Sequence, residues 1–165
     1  MTQFQVICAD PPWDFGDKLR AMKSKVKRSA ISQYSTLTTF EIASLNVKSL
    51  VNKSGCVLAL WVPSTLLSEG LYVMNSWGFT YKQMVVWVKS KKNALDKIQK
   101  GEINNLNDTL SFGMGRLFRQ CHEIVLIGTV GKVYKDLVNK SQRSVLIEQN
   151  TKHSKKPELL QDRLE

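Results

Sequence analysis

Short, almost continuous apolar runs alternate along the chain with segments in which apolar residues recur at helical spacing. Apolar runs of this length, bounded by proline, glycine or polar residues, predict buried β-strands. Four such runs lie at residues 4–9, 55–62, 81–88 and 123–128, and a fifth strand is predicted at 144–148.

Three segments predict helices. Thr38 and Glu41 match a capping box, in which each side chain satisfies a free backbone N–H, and they open a helix that runs to about Leu50. A second helix carries apolar residues at i, i+4 and i+7, beginning with Leu67. Pro157 stands at a first-turn position and opens the last helix.

Buried strands that alternate with helices predict an α/β fold with a mostly parallel sheet flanked by helices. The 165 residues suffice for a single domain over 1–165, with loops at 14–35 and 90–115. In such sheets ligands bind beyond the carboxyl ends of the strands. Residues 10–13 follow the first strand at such an end and are therefore the first candidate functional segment.

The chain is strongly basic, with 24 Lys and Arg against 14 Asp and Glu, a net charge of +10. Such a surplus attracts polyanions, and nucleic acid is the first candidate. One cluster occupies eleven residues that contain no acid, directly after the candidate segment: Lys18, Arg20, Lys23, Lys25, Lys27 and Arg28. Further basic groups comprise Lys89, Lys91, Lys92, Lys97 and Lys100, and then Lys152, Lys155 and Lys156. They predict salt-sensitive phosphate contacts, the alternative being solvated loops.

Several classes of protein are disfavoured. No apolar run approaches the roughly 20 residues that span a bilayer, and the first residues do not read as a secretory signal, so we expect a cytoplasmic protein. Cys8, Cys56 and Cys121 form no C-x-x-C pair and are expected to be buried thiols rather than disulfide or zinc ligands. With two histidines and isolated acids, no metal site is expected, which disfavours a metal-dependent nuclease.

The segment Asp10–Trp13, Asp-Pro-Pro-Trp, combines three kinds of group at one strand end. A residue before proline is held extended, so Asp10 projects at a defined angle. Pro11 and Pro12 have no N–H, and their carbonyls are expected to be unpaired acceptors on a stiff backbone. Trp13 offers a flat face for stacking of an aromatic base.

This combination suits an amino group on a flat ring. Two acceptors hold its two N–H groups and aim the nitrogen lone pair. Positioning of reactants can lower an activation barrier by roughly 7–11 kcal/mol, and this arrangement is expected to supply several kcal/mol of that. The alternative is that the two prolines simply end a strand. The spacing alone leaves both interpretations open.

The sequence resembles the MT-A70 family of adenine N6 methyltransferases, in which Asp-Pro-Pro-Trp follows an apolar strand. The resemblance continues in order along the chain. Similar segments are Gln33–Thr38, Leu60–Val62, Trp77–Phe79, Trp87–Lys89, Gly113–Gly115, His122–Glu123, Leu126–Gly128 and His153–Glu158.

The resemblance implies a Rossmann-like methyltransferase that uses S-adenosylmethionine. It implies that Asp10, Pro11, Pro12 and Trp13 are catalytic and hold the adenine. It also implies that Asp10, Ser154 and Lys156 bind the cofactor, and that Tyr34, Glu123 and Lys156 bind the acceptor. Lys92 and the basic cluster at 18–28 are expected to bind the acceptor because of their charge. For Tyr34 and Glu123 the alternatives are loop packing and strand capping.

One departure concerns the donor site. Family members continue into a further strand that contributes to the methionine pocket, and this sequence does not contain it. We therefore expect an exposed sheet edge and weak donor binding by this segment alone.

The resulting expectation is methyl transfer to the N6 amino group of adenine in nucleic acid. DNA is preferred to RNA, although the sequence by itself does not choose between them. The sequence shows no separate recognition domain, so specificity is expected to be low or supplied by a partner. A homodimer or a partner subunit is compatible with the family. The alternative is a noncatalytic nucleic-acid-binding subunit of a methyltransferase complex, against which the intact Asp10–Trp13 segment speaks.

Overall fold

Strands and short helices follow one another along the chain. The computed structural model describes residues 2–15, 35–113, 115, 117–151 and 155–164. The elements are β1 (Val6–Ala9), α1 (Thr39–Ala43), β2 (Gly55–Val62), α2 (Leu67–Ser76), β3 (Thr80–Ser90), α3 (Ala94–Gln99), β4 (His122–Gly131), β5 (Val145–Gln149) and α4 (Leu159–Leu164). Short 3-10 helices occupy Val47–Leu50, Ser64–Leu66 and Leu106–Thr109.

The five strands form one sheet in the order β1-β2-β4-β3-β5. β1 pairs with β2 in parallel, with Val6 opposite Val57, and β3 pairs with β5 in parallel, with Val86 opposite Val145. β4 runs in the opposite direction to β2, because the N–H of Lys132 after β4 donates to the carbonyl of Ser54 before β2. The predicted α/β class is confirmed.

The chain divides into two compact units. The first comprises Met1–Gln83 and Leu126–Asp136, and the second comprises Met84–Val125 and Leu137–Glu165. The core of the first unit contains fully buried side chains from β2, α2 and β4, among them Leu58, Val73 and Leu126. Trp77 at the end of α2 is buried as well, and its indole N–H donates to the carbonyl of Ile42 at 3.1 Å.

The second unit is built around β3 and β5. Trp87 and Leu146, which are register partners, are buried, and the indole N–H of Trp87 donates to the carbonyl of Glu148 at 3.2 Å. The segment 90–115, predicted as a loop, contains α3 and a 3-10 helix. It also returns to β3, where the N–H of Ser111 donates to the carbonyl of Lys89 at 2.7 Å.

The capping box is confirmed, but the helix it opens is shorter than predicted. Thr38 Oγ1 accepts from the N–H of Glu41, and the Glu41 carboxylate accepts from the N–H of Thr38. The helix stops at Ala43, and a separate 3-10 turn follows at Val47–Leu50. Ser44 lies between the two, and its hydroxyl donates to the carbonyl of Phe40 in the helix. Serine and asparagine favour such local hydrogen bonds over continuation of a helix.

The prediction that the first strand is buried is wrong. Along β1 the residues alternate between exposed and half-buried, and Phe4 and Val6 are both exposed. The cause is position, because β1 lies at one end of the strand order and has a single neighbour, β2. An apolar run in the sequence therefore predicts a strand, but it does not predict whether the rest of the protein covers that strand.

Gly70 lies where α2 approaches the sheet closely. A Cβ at this position would lie 2.7 Å from Cγ2 of Val62 and 3.1 Å from Cδ1 of Leu126. We expect Gly70→Ala to lower the free energy of unfolding by about 1–3 kcal/mol, the usual cost of overpacking a core. Denaturant unfolding measures this, with Asn75→Ala on the exposed face of α2 as the control. An unchanged midpoint in Gly70→Ala would contradict the close approach.

Candidate functional site

The chain turns sharply after β1, at residues 10–13, which we call the Asp10–Trp13 corner. The N–H of Trp13 donates to the carbonyl of Pro11 at 2.9 Å, a bond that closes a tight turn over one residue. Trp13 also forms an isolated parallel bridge with Leu37. The prolines fix the backbone angles, and these bonds hold the turn against the segment that precedes α1.

Trp13 is the buried anchor of the corner. Only 5% of this residue is exposed, and its indole N–H donates to the carbonyl of Trp61 on β2 at 2.9 Å. Buried indole groups normally need such a partner. The indole therefore packs against β2, and the open stacking face expected from the sequence is not present in this structure.

The expectation that the two proline carbonyls are unpaired is wrong. Pro11 accepts from Trp13, and Pro12 accepts from the N–H of Leu37 at 2.8 Å. Buried and half-buried carbonyls are normally paired, and the partner N–H groups are supplied by the turn itself and by a distant segment. A carbonyl oxygen has two lone pairs, so each can still accept a second hydrogen bond.

Asp10 is exposed at the end of β1, before the fixed turn. Because Pro11 follows it, its backbone is restricted to extended conformations, and its direction is set by the pairing of β1 with β2. The corner therefore presents a carboxylate beside a rigid backbone carbonyl. This arrangement can receive a donor group with two N–H bonds.

A second candidate site lies in the second unit and consists of Lys89, Glu123 and Lys156, which we call the Glu123 cluster. Lys89 Nζ lies 2.5 Å from Glu123 Oε1, and Lys156 Nζ lies 3.4 Å from Glu123 Oε2. The side chains are 19%, 27% and 22% exposed, respectively. Lys89 Nζ also lies 4.8 Å from the centre of the Trp87 ring, within range of a cation–π contact.

Glu123 is ionised at neutral pH. Burial by itself raises the pKa of Glu123, but the hydrogen bond from Lys89 and the charges of Lys156 and Lys89 outweigh it, so the pKa lies below its ordinary value. The cluster carries two ammonium groups against one carboxylate. It is therefore a partly buried cluster of ion pairs.

The lowered pKa predicts a pH-dependent contribution to stability. It is fully present above the ordinary carboxyl pKa of 4.5 and is lost as the pH falls through the lower pKa of the folded state. We expect Glu123→Gln to reduce the free energy of unfolding at pH 7 by between about 1 kcal/mol, typical of exposed pairs, and about 3 kcal/mol, typical of buried ones. The difference from the unsubstituted protein should shrink below pH 4.

Urea unfolding at pH 7, 4 and 3 measures this effect. The matched control is Glu102→Gln, which makes the same chemical change at an exposed position. A deficit in Glu123→Gln that is constant across this pH range would contradict the assignment.

Many of the residues predicted to bind the acceptor lie outside the described residues. They are Lys18, Arg20, Lys23, Lys25, Lys27, Arg28 and Tyr34, and the predicted cofactor residue Ser154 lies outside as well. Lys92 is described and is exposed just before α3. The roles predicted for these residues stay predictions.

The described lysines of the two basic groups, at 89–100 and 152–156, differ in their contacts. Lys89 is paired with Glu123, Lys91 donates to the carbonyl of Asp108 at 2.8 Å, and Lys155 pairs with Glu158 at 3.0 Å. Lys92 and Lys97 are exposed. Lys152 lies outside the described residues, and the phosphate contacts expected of these groups stay a prediction.

The cysteines differ from the expectation that all three are buried. Cys56 is buried, and burial raises the pKa of its thiol, whereas Cys8 is exposed and Cys121 is half-buried. Cys8 is exposed because it lies on β1. The described residues contain no group of three or more His, Cys, Asp or Glu placed to hold a metal ion, and the described helices are all too short or too polar to span a bilayer.

Sequence reasoning missed two partners. Leu37, which pairs with the corner, carries no distinctive signal. Lys89 belongs to the Trp87–Lys89 segment that resembles the family. Its charge places it among the basic residues, so the sequence does not predict its pairing with Glu123. Its position at the end of a strand, two residues after a buried tryptophan, distinguishes it from the lysines that follow.

Comparison with known proteins identifies a family and several relatives. The MT-A70 family model matches residues 4–165. The Type II methyltransferase M.MunI of Mycoplasma sp is 29% identical over 168 residues, which cover 94% of this chain and 63% of that protein. The human N(6)-adenosine-methyltransferase catalytic subunit METTL3 is 32% identical over 96 residues, which cover 58% of this chain and 14% of that protein.

A third relative is a subunit named as non-catalytic. The N6-adenosine-methyltransferase non-catalytic subunit MTB of Arabidopsis thaliana is 28% identical over 135 residues, which cover 80% of this chain and 15% of that protein. The chain thus spans less than two thirds of the length of each of these three relatives.

Proposed function

Because the chain belongs to the MT-A70 family, we propose that it transfers a methyl group from S-adenosylmethionine to the N6 amino group of adenine in nucleic acid. The observation that carries the proposal is the Asp10–Trp13 corner, which presents an exposed carboxylate before a turn fixed by two backbone bonds and one indole bond. The α/β sheet is consistent with a Rossmann-like methyltransferase domain.

Asp10 and Pro11 would act on the amino group together. The adenine amine is a weak nucleophile because its lone pair is delocalised into the ring. If the Asp10 carboxylate accepts one N–H and the second lone pair of the Pro11 carbonyl accepts the other, the nitrogen lone pair is directed away from the ring plane. Asp10 then also accepts the proton that the nitrogen loses, and passes it to solvent.

The chain's own groups suit S-adenosylmethionine, which when bound supplies an electrophilic methyl group on a cationic sulfur. The exposed Asp10 suits a cationic group, and the ammonium group of Lys156 suits an anionic group; each is proposed separately as a cofactor ligand from the family resemblance. Glu123 is proposed to bind the acceptor base. Ser154 is proposed as a further cofactor ligand from the resemblance alone.

Nucleic acid is the proposed acceptor, with DNA preferred. The net charge of +10 favours a polyanion. The similarity to a type II methyltransferase supports the preference for DNA. An adenine in a duplex would have to leave the stack, at a cost of a few kcal/mol, so single strands are expected to react faster. We further propose a cytoplasmic protein that works as a homodimer or with a partner subunit.

Transfer of label from S-adenosylmethionine to oligonucleotides tests the proposal. DNA and RNA of matched sequence are incubated with methyl-labelled donor, digested to nucleosides and separated. We expect label in N6-methyladenine, with more in DNA than in RNA. Label on cytosine, or no label on either nucleic acid, would overturn the proposal.

The similarity to the MTB subunit favours one second candidate, a noncatalytic subunit that binds nucleic acid. Calorimetry with the methyl donor, carried out on the complete protein, separates the two functions. Binding in the micromolar range supports the enzyme. Millimolar or weaker binding together with tight nucleic-acid binding supports the subunit.

A further inference from the structure

The two lysines of the Glu123 cluster are not equivalent. Lys89 makes the short contact, 2.5 Å to Oε1, while Lys156 stands 3.4 Å from Oε2. Charge-assisted N–H···O bonds of strong geometry are shorter than 3 Å. Lys89 therefore holds one oxygen of Glu123 firmly, and the other oxygen has the looser partner.

Lys89 is itself fixed from several directions. Its backbone N–H donates to the carbonyl of Cys121 at 2.8 Å, and its carbonyl accepts from Ser111 at 2.7 Å. Its ammonium group lies 4.8 Å from the centre of the Trp87 ring, and Trp87 is buried and bonded to the carbonyl of Glu148. A long, flexible side chain thus has little freedom at this position.

We propose that Lys89 is a positioning residue, which holds Glu123 ionised and oriented for binding the acceptor base. This inference rests on the proposed function through the role of Glu123. Lys89 does not touch the reacting atoms in this account. It acts by fixing one carboxylate oxygen, which sets the orientation of the whole carboxylate.

The described charged and titratable groups around Glu123 come from four elements. β3 supplies Lys89, and the segment before α4 supplies Lys156. β5 supplies Glu148, the register partner of Lys89, whose side chain shares the face of Lys89. β4 itself contributes His122 beside Glu123. Lys89 makes the shorter of the two ion pairs with Glu123, so its removal should change the ionisation of Glu123 most.

The test combines kinetics and pH dependence in the protein. Lys89→Met keeps most of the unbranched side chain but removes the ammonium group and its contact with the Trp87 ring, and Lys89→Arg keeps the charge. In Lys89→Met the acidic limb of kcat/KM should move up by about one pH unit, because an adjacent cation lowers a carboxyl pKa by at least that much. The KM for the oligonucleotide should rise by about tenfold with a smaller change in kcat, and Lys89→Arg should restore the limb.

The control is Lys82→Met, which removes the same charge from an exposed position on the same strand. The proposal is overturned if Lys89→Met leaves the acidic limb where the unsubstituted protein has it. It is also overturned if Lys89→Met and Lys89→Arg lose activity equally and neither shifts the acidic limb of the kcat/KM profile, because that pattern indicates a purely structural role. Movement of the limb in Lys82→Met to the same extent would likewise overturn it.

A second measurement does not depend on activity. Carbon-13 NMR of labelled glutamate carboxyls follows the titration of Glu123 in the unsubstituted protein, in Lys89→Met and, if that variant does not fold, in Lys89→Gln. An upward movement of the Glu123 midpoint by about one unit is expected. If the protein transfers no methyl group, the proposed function fails, and this titration still decides whether Lys89 controls Glu123; an unmoved midpoint overturns the inference.

Discussion

Replacing Asp10 with alanine is expected to lower the rate of methyl transfer by about 10²–10³-fold, the loss seen when one preorganised polar group is removed from a reacting centre. Affinity for oligonucleotides without adenine should remain nearly unchanged, because basic side chains rather than Asp10 supply it. Asp10 is exposed, so the free energy of unfolding should stay within about 0.5 kcal/mol of the original. Single-turnover transfer with labelled donor measures the first effect, and filter binding measures the second.

Asp14→Ala is the matched control, since Asp14 is an exposed aspartate next to the same corner. Its backbone N–H donates to the carbonyl of Leu37, and the substitution preserves that bond. We expect a change in rate of less than threefold. Equal losses in Asp10→Ala and Asp14→Ala would mean that general negative charge, rather than the Asp10 carboxylate, matters at this corner.

Trp13→Ala is expected to lower the free energy of unfolding by about 3–5 kcal/mol, the usual cost of deleting a buried aromatic side chain. The residue is buried and bonded to the carbonyl of Trp61. Trp13→Phe retains most of the volume but loses the indole N–H, and should cost about 1–3 kcal/mol. Denaturant unfolding followed by circular dichroism measures both.

The control for this pair is Phe40→Ala, which removes an aromatic ring from an exposed position on α1. It should change stability by less than about 0.5 kcal/mol. If Trp13→Ala proves as stable as Phe40→Ala while binding of single-stranded nucleic acid weakens, Trp13 stacks on the base rather than supporting the corner. In that case the packing role assigned here is wrong.

The sequence was sufficient for those features that depend on neighbouring residues. The capping box at Thr38 and Glu41, the five strands and the helix beginning at Leu67 were predicted because their signals lie within a few residues of one another. Their boundaries moved by at most three residues except for the helix after Thr38, which ends at Ala43 instead of about Leu50, roughly two turns earlier. Local hydrogen bonds at Ser44 ended that helix.

Features that depend on distant partners were not predictable in the same way. Trp13 bonds to Trp61, 48 residues away, and Lys89 bonds to Glu123, 34 residues away. The pairing of the Pro12 carbonyl with Leu37 depends on how the segment before α1 returns to the corner. Residue types at 10–13 indicated the chemistry, but tertiary contacts decided which groups are buried and which are exposed.

The central claim is that Asp10 holds the exocyclic amino group of adenine. A thermodynamic cycle tests it most directly, by measuring the affinities of the unsubstituted protein and of Asp10→Ala for two oligonucleotides, one with adenine and one with purine, which lacks the 6-amino group. The account predicts that the amino group and Asp10 are coupled by about 1.5–3 kcal/mol, the strength of a hydrogen bond to a charged group. A coupling below about 0.5 kcal/mol, as between independent sites, would contradict it.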